Sequence, residues 1–156
     1  MFDIFVHSRL SVETVKTNKL FSLISIIEPI KKDRLILTDW DLTHCSFPSI
    51  ASNKSNCVSS LFLRFNDIDI DVTTDDGSSI KTINKNQIKL LVSFIRTLED
   101  NPIEEVYVNC AAGISRSAAV AAAISKYYKG EDQYFFDRYV PNMFVYSSLI
   151  NELAWS

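Results

Sequence analysis

Apolar positions along this chain fall into short runs set apart by polar stretches, and the spacing within the runs changes from run to run. Phe2–Val6, Leu20–Ile27, Leu35–Trp40 and Leu61–Phe65 are short and rich in β-branched and aromatic residues, and each reads as a strand. Val106–Val108 is a fifth, wholly apolar run. Between the first two, Ser11 is placed to cap a small helix reaching about Asn18. Residues 43–60, rich in Ser and Asn and holding Pro48, read as an irregular excursion, and residues 66–83 as a polar, acidic loop. The spacing then becomes helical. Asn84 and Gln87 form a capping-box pattern, and Ile88, Leu91, Val92, Ile95 and Leu98 share one helical face before Pro102. A second helix is expected through the alanines Ala118–Ala123 to Lys129, with Gly130 as its stop. Glu131–Tyr139 reads as a short helix, and Asn142 as the cap of a last helix ending near Ala154.

Strands alternating with helices predict an α/β fold: a central, mostly parallel sheet of four to five strands flanked by helices. The 156 residues suit one domain, 1–156, with one core and no internal repeat. At 47% hydrophobic and 22% charged residues the composition is that of a soluble globular protein. A net charge of −3 gives no basic field, so nucleic acid is not expected as a partner. No apolar run approaches the ~20 residues that span a bilayer, and MFDIFVHSRL reads as a strand rather than a signal segment. The chain is therefore expected to be cytoplasmic, free of membrane and monomeric. Three cysteines, Cys45, Cys57 and Cys110, suit a reducing compartment better than a disulfide scaffold.

The most informative stretch is CAAGISRS, residues 110–117. It lies between the strand Val106–Val108 and the alanine helix, so it forms a strand–loop–helix junction. Backbone N–H groups and the helix dipole at such a junction favour an anion. Cys110 is the candidate nucleophile, because a helix N-terminus and a nearby guanidinium both acidify a thiol. Five intervening residues let the loop curl so that Arg116 returns beside Cys110, where its planar fork can grip two phosphate oxygens. Gly113 supplies backbone freedom. Ser115 and Ser117 bring hydroxyls to the loop floor, and one of them can donate to the sulfur. Ala111, Ala112, Gly113, Ile114, Ser115 and Arg116 are the expected substrate-binding residues.

The segment VYVNCAAGISRSAAVAAAI resembles the signature of the cysteine-based protein tyrosine and dual-specificity phosphatases. That pattern is His-Cys, two residues, Gly, two residues, Arg-Ser/Thr. Cys110, Gly113, Arg116 and Ser117 match it, and Asn109 stands where the family has histidine. The resemblance covers about residues 61–128. It implies hydrolysis of phosphate monoesters through a cysteinyl-phosphate intermediate and needs no cofactor or metal. It further implies a phosphorylated substrate, in particular a phosphoprotein, and a loop that phosphate, sulfate or vanadate would occupy. The short chain, without an obvious phosphotyrosine-recognition insertion, suits a compact dual-specificity-like pocket.

The family places its general acid, an aspartate, on the loop before the helix that precedes the signature strand, here 66–83. FLRFND fits an alternating strand that ends in an aspartate, which points to Asp67. Separation from the cysteine favours Asp75 or Asp76, and Asp69 and Asp71 also stand in the loop. Asp67, Asp69 and Asp71 alternate as in a calcium loop, but Val72 and Ser78 occupy the positions that need Gly and Glu. His7 and His44, the only histidines, show no metal-ligand spacing. The aromatic group Tyr127, Tyr128, Tyr134, Phe135, Phe136 and Tyr139 is read as core rather than cleft wall, and Arg138 as an exposed helix residue. Cys45 and Cys57 are read as incidental thiols, a protective disulfide with Cys110 being the other option. A catalytically inactive phosphate-binding module is the main functional alternative. A sulfurtransferase or arsenate-reductase reading fits less well, given this Gly and Arg-Ser spacing and a loop two-thirds along the chain.

Overall fold

The computed structural model describes residues 1–29, 46–77 and 79–155. Strand β1 (Asp3–Ser8) leads into a one-turn helix α1 (Arg9–Val12), and β2 (Phe21–Ile27) follows. A short helix α2 (Ser49–Ser52), strand β3 (Cys57–Arg64), and the small strands β4 (Val72–Thr73) and β5 (Ser79–Ile80) come next. Then come α3 (Lys85–Arg96), β6 (Glu105–Cys110), α4 (Arg116–Lys129), α5 (Gln133–Arg138) and α6 (Met143–Ala154). The main sheet has four parallel strands in the order β1-β6-β2-β3. The expected strand Leu35–Trp40 lies outside the described residues.

Both faces of the sheet are covered, which is why its central strands are apolar almost throughout. All seven residues of β2 are buried. Ile24 and Ile26 join Val106 and Val108 of β6 in a large core with Leu91, Val92 and Ile95 of α3 and Val145, Leu149 and Leu153 of α6. Phe21, Leu23 and Tyr107 pack on the other face with Val12, Val15 and Ala51. Helix α4 runs through the larger core with Arg116 to Ser125 all buried, so a helix without a polar stripe suits its place. Its alanines let it lie close against β6.

Helix ends follow local chemistry. Asn84 and Gln87 form the expected reciprocal capping box on α3, Gly130 closes α4 at φ 78°, and Asn142 caps α6 through Val145 N–H. The first helix differs from expectation. Ser8 is its cap, Ser11 is the third helical residue bonding back to it, and the helix stops at Val12. Two hydroxyls three residues apart can both act as cap, and the capping box chooses Ser8. Strand β3 begins at Cys57, inside the expected excursion. Its edge-strand alternation is masked by Ser59 and Ser60, and Ser59 shares a 2.7 Å hydroxyl contact with Ser22 on β2. The acidic loop contains the β4–β5 hairpin, turned by Gly77 at φ 82°.

Candidate active site

The loop 111–115 joins the carboxyl end of β6 to the N-terminus of α4. Because β6 lies between β1 and β2, the loop sits at mid-sheet, where parallel α/β sheets present ligand sites. Cys110 ends the strand with 2% of its surface exposed. Its Sγ lies 3.0 Å from the Ser117 hydroxyl and 3.3 Å from the Gly113 N–H that donates to it. Burial pushes the Cys110 thiol up. The Ser117 hydroxyl and N–H, the Arg116 charge and the Gly113 N–H outweigh that push, and the thiol falls below its ordinary value.

Gly113 is required twice over. Its φ of 72° belongs to the left-handed region, and a Cβ there would lie 2.6 Å from both His7 C and Ser8 N. The loop is thus pressed against the β1–α1 junction. Its carbonyls are fixed from outside. Arg9 N–H donates to Ala111 O at 3.2 Å, Val140 N–H to Ile114 O at 3.1 Å and Asn142 N–H to Ser115 O at 3.1 Å. In a trans peptide the N–H lies opposite the C=O. The N–H groups of Ala112, Ser115 and Arg116 therefore point away from these outside donors. None of the three finds a backbone acceptor among the described residues.

Arg116 is the first residue of α4 and is 4% exposed. Its Nη1 donates to Phe65 O at 2.6 Å, and its Nη2 pairs with Glu28 at the end of β2. Nε is buried with no partner. The fork expected to face a ligand is thus partly engaged by the scaffold. Of the guanidinium's five N–H donors, Nε–H and one on each terminal nitrogen remain. Glu28 was not legible as a site residue. The signal it carried was an acid directly after a fully buried strand.

Among the described residues, Asp67 is the loop aspartate bonded to the signature loop. Its Oδ1 accepts from the Ser115 hydroxyl and from Asn142 Nδ2, each at 2.8 Å. Asp71 accepts from Thr82 N–H and pairs with Lys81, and Asp76 accepts from Thr74 Oγ1, all within the hairpin region. Asp69 and Asp75 are exposed. Asn142, expected only as a cap, is the second residue missed as part of the site.

Asn109 is fully buried, and neither Nδ2 nor Oδ1 has a partner. It is paired in register with His7 of β1 and Ser25 of β2, and the Ser25 hydroxyl is also without a partner. Where the family motif has a histidine, this chain has an amide that makes no hydrogen bond among the described residues. His7 bonds the Ser11 hydroxyl at 3.0 Å, and burial lowers its pKa. Cys57 pairs with Phe21 in register and Phe21 with Glu105, so it lies at the opposite end of the sheet from Cys110, five residues along the strands. At ~3.3 Å per residue this gap far exceeds disulfide reach. Cys45 and His44 lie outside the described residues. Phe135 is core, Tyr128, Phe136 and Tyr139 pack against the core, and Tyr127 and Tyr134 are exposed. Arg138 lies over the Tyr134 ring at 4.5 Å. No group of three potential ligands for a metal ion occurs among the described residues.

Compared with solved structures, the chain superposes on the crystal structure of a human tyrosine phosphatase-like serine/threonine/tyrosine-interacting protein. The TM-score is 0.58 at 16% identity, covering 97% of this chain and 91% of that one. The fold is that of the tyrosine phosphatases. A second match, Tk-PTP in its active form, gives a TM-score of 0.54 at 13% identity over 96% of this chain and 88% of that one. No family model and no curated protein matches the sequence. No helix among the described residues is long and apolar enough to cross a membrane.

Proposed function

We propose that this chain is a phosphate monoester hydrolase acting through a cysteinyl-phosphate intermediate, with a phosphoprotein as the substrate class. One observation carries the reading. A thiol held below its ordinary pKa lies at the base of a loop whose N–H groups lack backbone acceptors, beside an arginine whose Nε is unpartnered. In the first step the Cys110 thiolate attacks phosphorus. The P–S bond forms, the P–O bond breaks, and Asp67 gives its proton to the leaving oxygen. In the second, the Asp67 carboxylate takes a proton from water, the water oxygen bonds to phosphorus and the P–S bond breaks. The Ser117 hydroxyl supports the departing thiolate. The loop N–H groups and Arg116 hold the phosphoryl oxygens in both steps. Phosphate, sulfate and vanadate are ligands of the same loop.

A non-catalytic phosphate-binding module is the second reading, favoured by the unbonded, uncharged amide of Asn109. Hydrolysis of aryl phosphates discriminates the two. Under the proposal the wild-type protein turns over, while Cys110→Ser does not and keeps phosphate affinity within about tenfold, because binding and chemistry use different groups. Turnover that persists in Cys110→Ser would exclude the covalent route, and a silent wild type would leave the binding module.

A further inference from the structure

Asn142 stands where three elements meet. Its Oδ1 accepts from Val145 N–H at 3.0 Å and caps α6. Its main-chain N–H donates to Ser115 O in the signature loop. Its Nδ2 donates to Asp67 Oδ1 at 2.8 Å and to Ile68 O at 3.4 Å. The Ser115 hydroxyl donates to the same Asp67 oxygen.

The cap fixes which way the amide faces. Flipped, Asn142 would set its NH₂ against the Val145 N–H, donor against donor, and its carbonyl oxygen against the Asp67 carboxylate and the Ile68 carbonyl, acceptor against acceptor. With the amide in place, Asp67 Oδ1 faces a group that can only donate. A proton on Oδ1 would meet that donor head-on. The proton of a neutral Asp67 therefore belongs on Oδ2, which has no bonded partner among the described residues.

We propose that Asn142 is a positioning residue. It holds Asp67 over the signature loop and confines the acidic proton to Oδ2, the oxygen free to deliver it. This rests on the reading of Asp67 as general acid. Helix α6 thereby sets the register of the acidic loop against the phosphate loop, and one side chain is both the cap of the helix and the guide of the acid.

The test separates the two roles of Asn142. Asn142→Asp keeps a strong helix cap but replaces the donor to Asp67 with a like charge. Asn142→Ser keeps a cap and lacks the reach. Turnover is measured on a series of aryl phosphates running from good leaving groups, such as dinitrophenol, to poor ones, such as phenol. Both variants are expected to lose about 10- to 100-fold in kcat on the poor leaving groups, and less than about threefold on the good ones, with KM little changed. Asp67→Asn should show the same selectivity, and adding Asn142→Ser to it should cost nothing further. If Asn142→Asp fails to fold, Asn142→Ser carries the comparison. Equal losses across the series, wild-type rates on phenyl phosphate, or full additivity with Asp67→Asn would each overturn the role given to Asn142 while leaving the hydrolase reading intact. A wild type inactive on the whole series, or an Asp67→Asn variant without leaving-group selectivity, would remove the underlying assignment and the role of Asn142 with it.

Discussion

A thiol buried as deeply as Cys110 would ordinarily be a poor acid, because a thiolate loses its hydration on burial. Here the donors decide the sign: Ser117 through hydroxyl and N–H, the Arg116 charge, and the Gly113 N–H. Each is within seven residues of the sulfur in sequence, so this part of the site was legible from spacing alone. The partners that arrive from elsewhere were not. Glu28 reaches Arg116 from just beyond β2 and Asn142 reaches Asp67 from the cap of α6, and no local pattern announces either. The midpoint of Cys110 alkylation against pH should lie below that of a free thiol. Ser117→Ala should raise it, by removing the strongest of the stabilising donors. Asn109→His should lower it, since an imidazolium adds charge that an amide lacks. Cys57, whose pKa burial raises, should react only at higher pH. Iodoacetamide labelling with mass-spectrometric site assignment reads both cysteines in one sample, and a Cys110 midpoint at or above that of Cys57 would contradict this account.

At the scale of elements, the strand–loop–helix unit carries its instructions in the chain, and the long-range contacts do not. The capping box on α3, the Gly130 stop and the Asn142 cap lie at their expected residues because each depends on side chains within three or four positions. The start of β3 and the β4–β5 hairpin were obscured because Ser59, Ser60 and the polar loop give a weak alternating signal, and the pairing comes from a distant strand or a two-residue ladder. The contact of Asp67 with the signature loop follows the same logic. It follows the end of β3 closely enough for the strand to aim it, whereas Asp75 and Asp76 turn with the hairpin. The signature loop should be unforgiving at Gly113. A left-handed residue with a Cβ costs on the order of 1–3 kcal/mol before any contact is counted, and here the Cβ meets main chain. Gly113→Ala is expected to lower the thermal midpoint by at least about 4 °C and to weaken vanadate binding more than tenfold, read by calorimetry and titration. A variant with wild-type binding would mean that the loop does not need this backbone geometry.

For the whole molecule, titration and stability are linked through several groups. The native pKa values of His7 and Cys110 lie below their ordinary values, so over those intervals the unfolded chain holds protons that the folded one has lost. Stability then rises with pH, first across the histidine range and again toward the ordinary thiol value. Tyr107, Tyr128 and Tyr146 are pushed up to about 12, chiefly by burial. The folded chain keeps those phenol protons after the unfolded one releases them, so stability falls above about pH 10. Urea melts across pH 5 to 11 should show the rise and the fall, and Cys110→Ser should flatten the rise in the thiol range alone. An unchanged slope there would mean that the sulfur is not acidified by folding.

The strand order has a further consequence, for the time at which the sulfur becomes reactive. β6 lies between β1 and β2, yet it is made roughly a hundred residues after the first of them. As the chain leaves the ribosome, the edges of β1 and β2 that will receive β6 have nothing to pair with until residue 110 and its helix have emerged. Among the described residues, the last strand of the sheet to be made is the one that ends in Cys110. A chain cut short before Ser117 lacks the hydroxyl that leads the groups acidifying Cys110, so its thiol should label with iodoacetamide as an ordinary one.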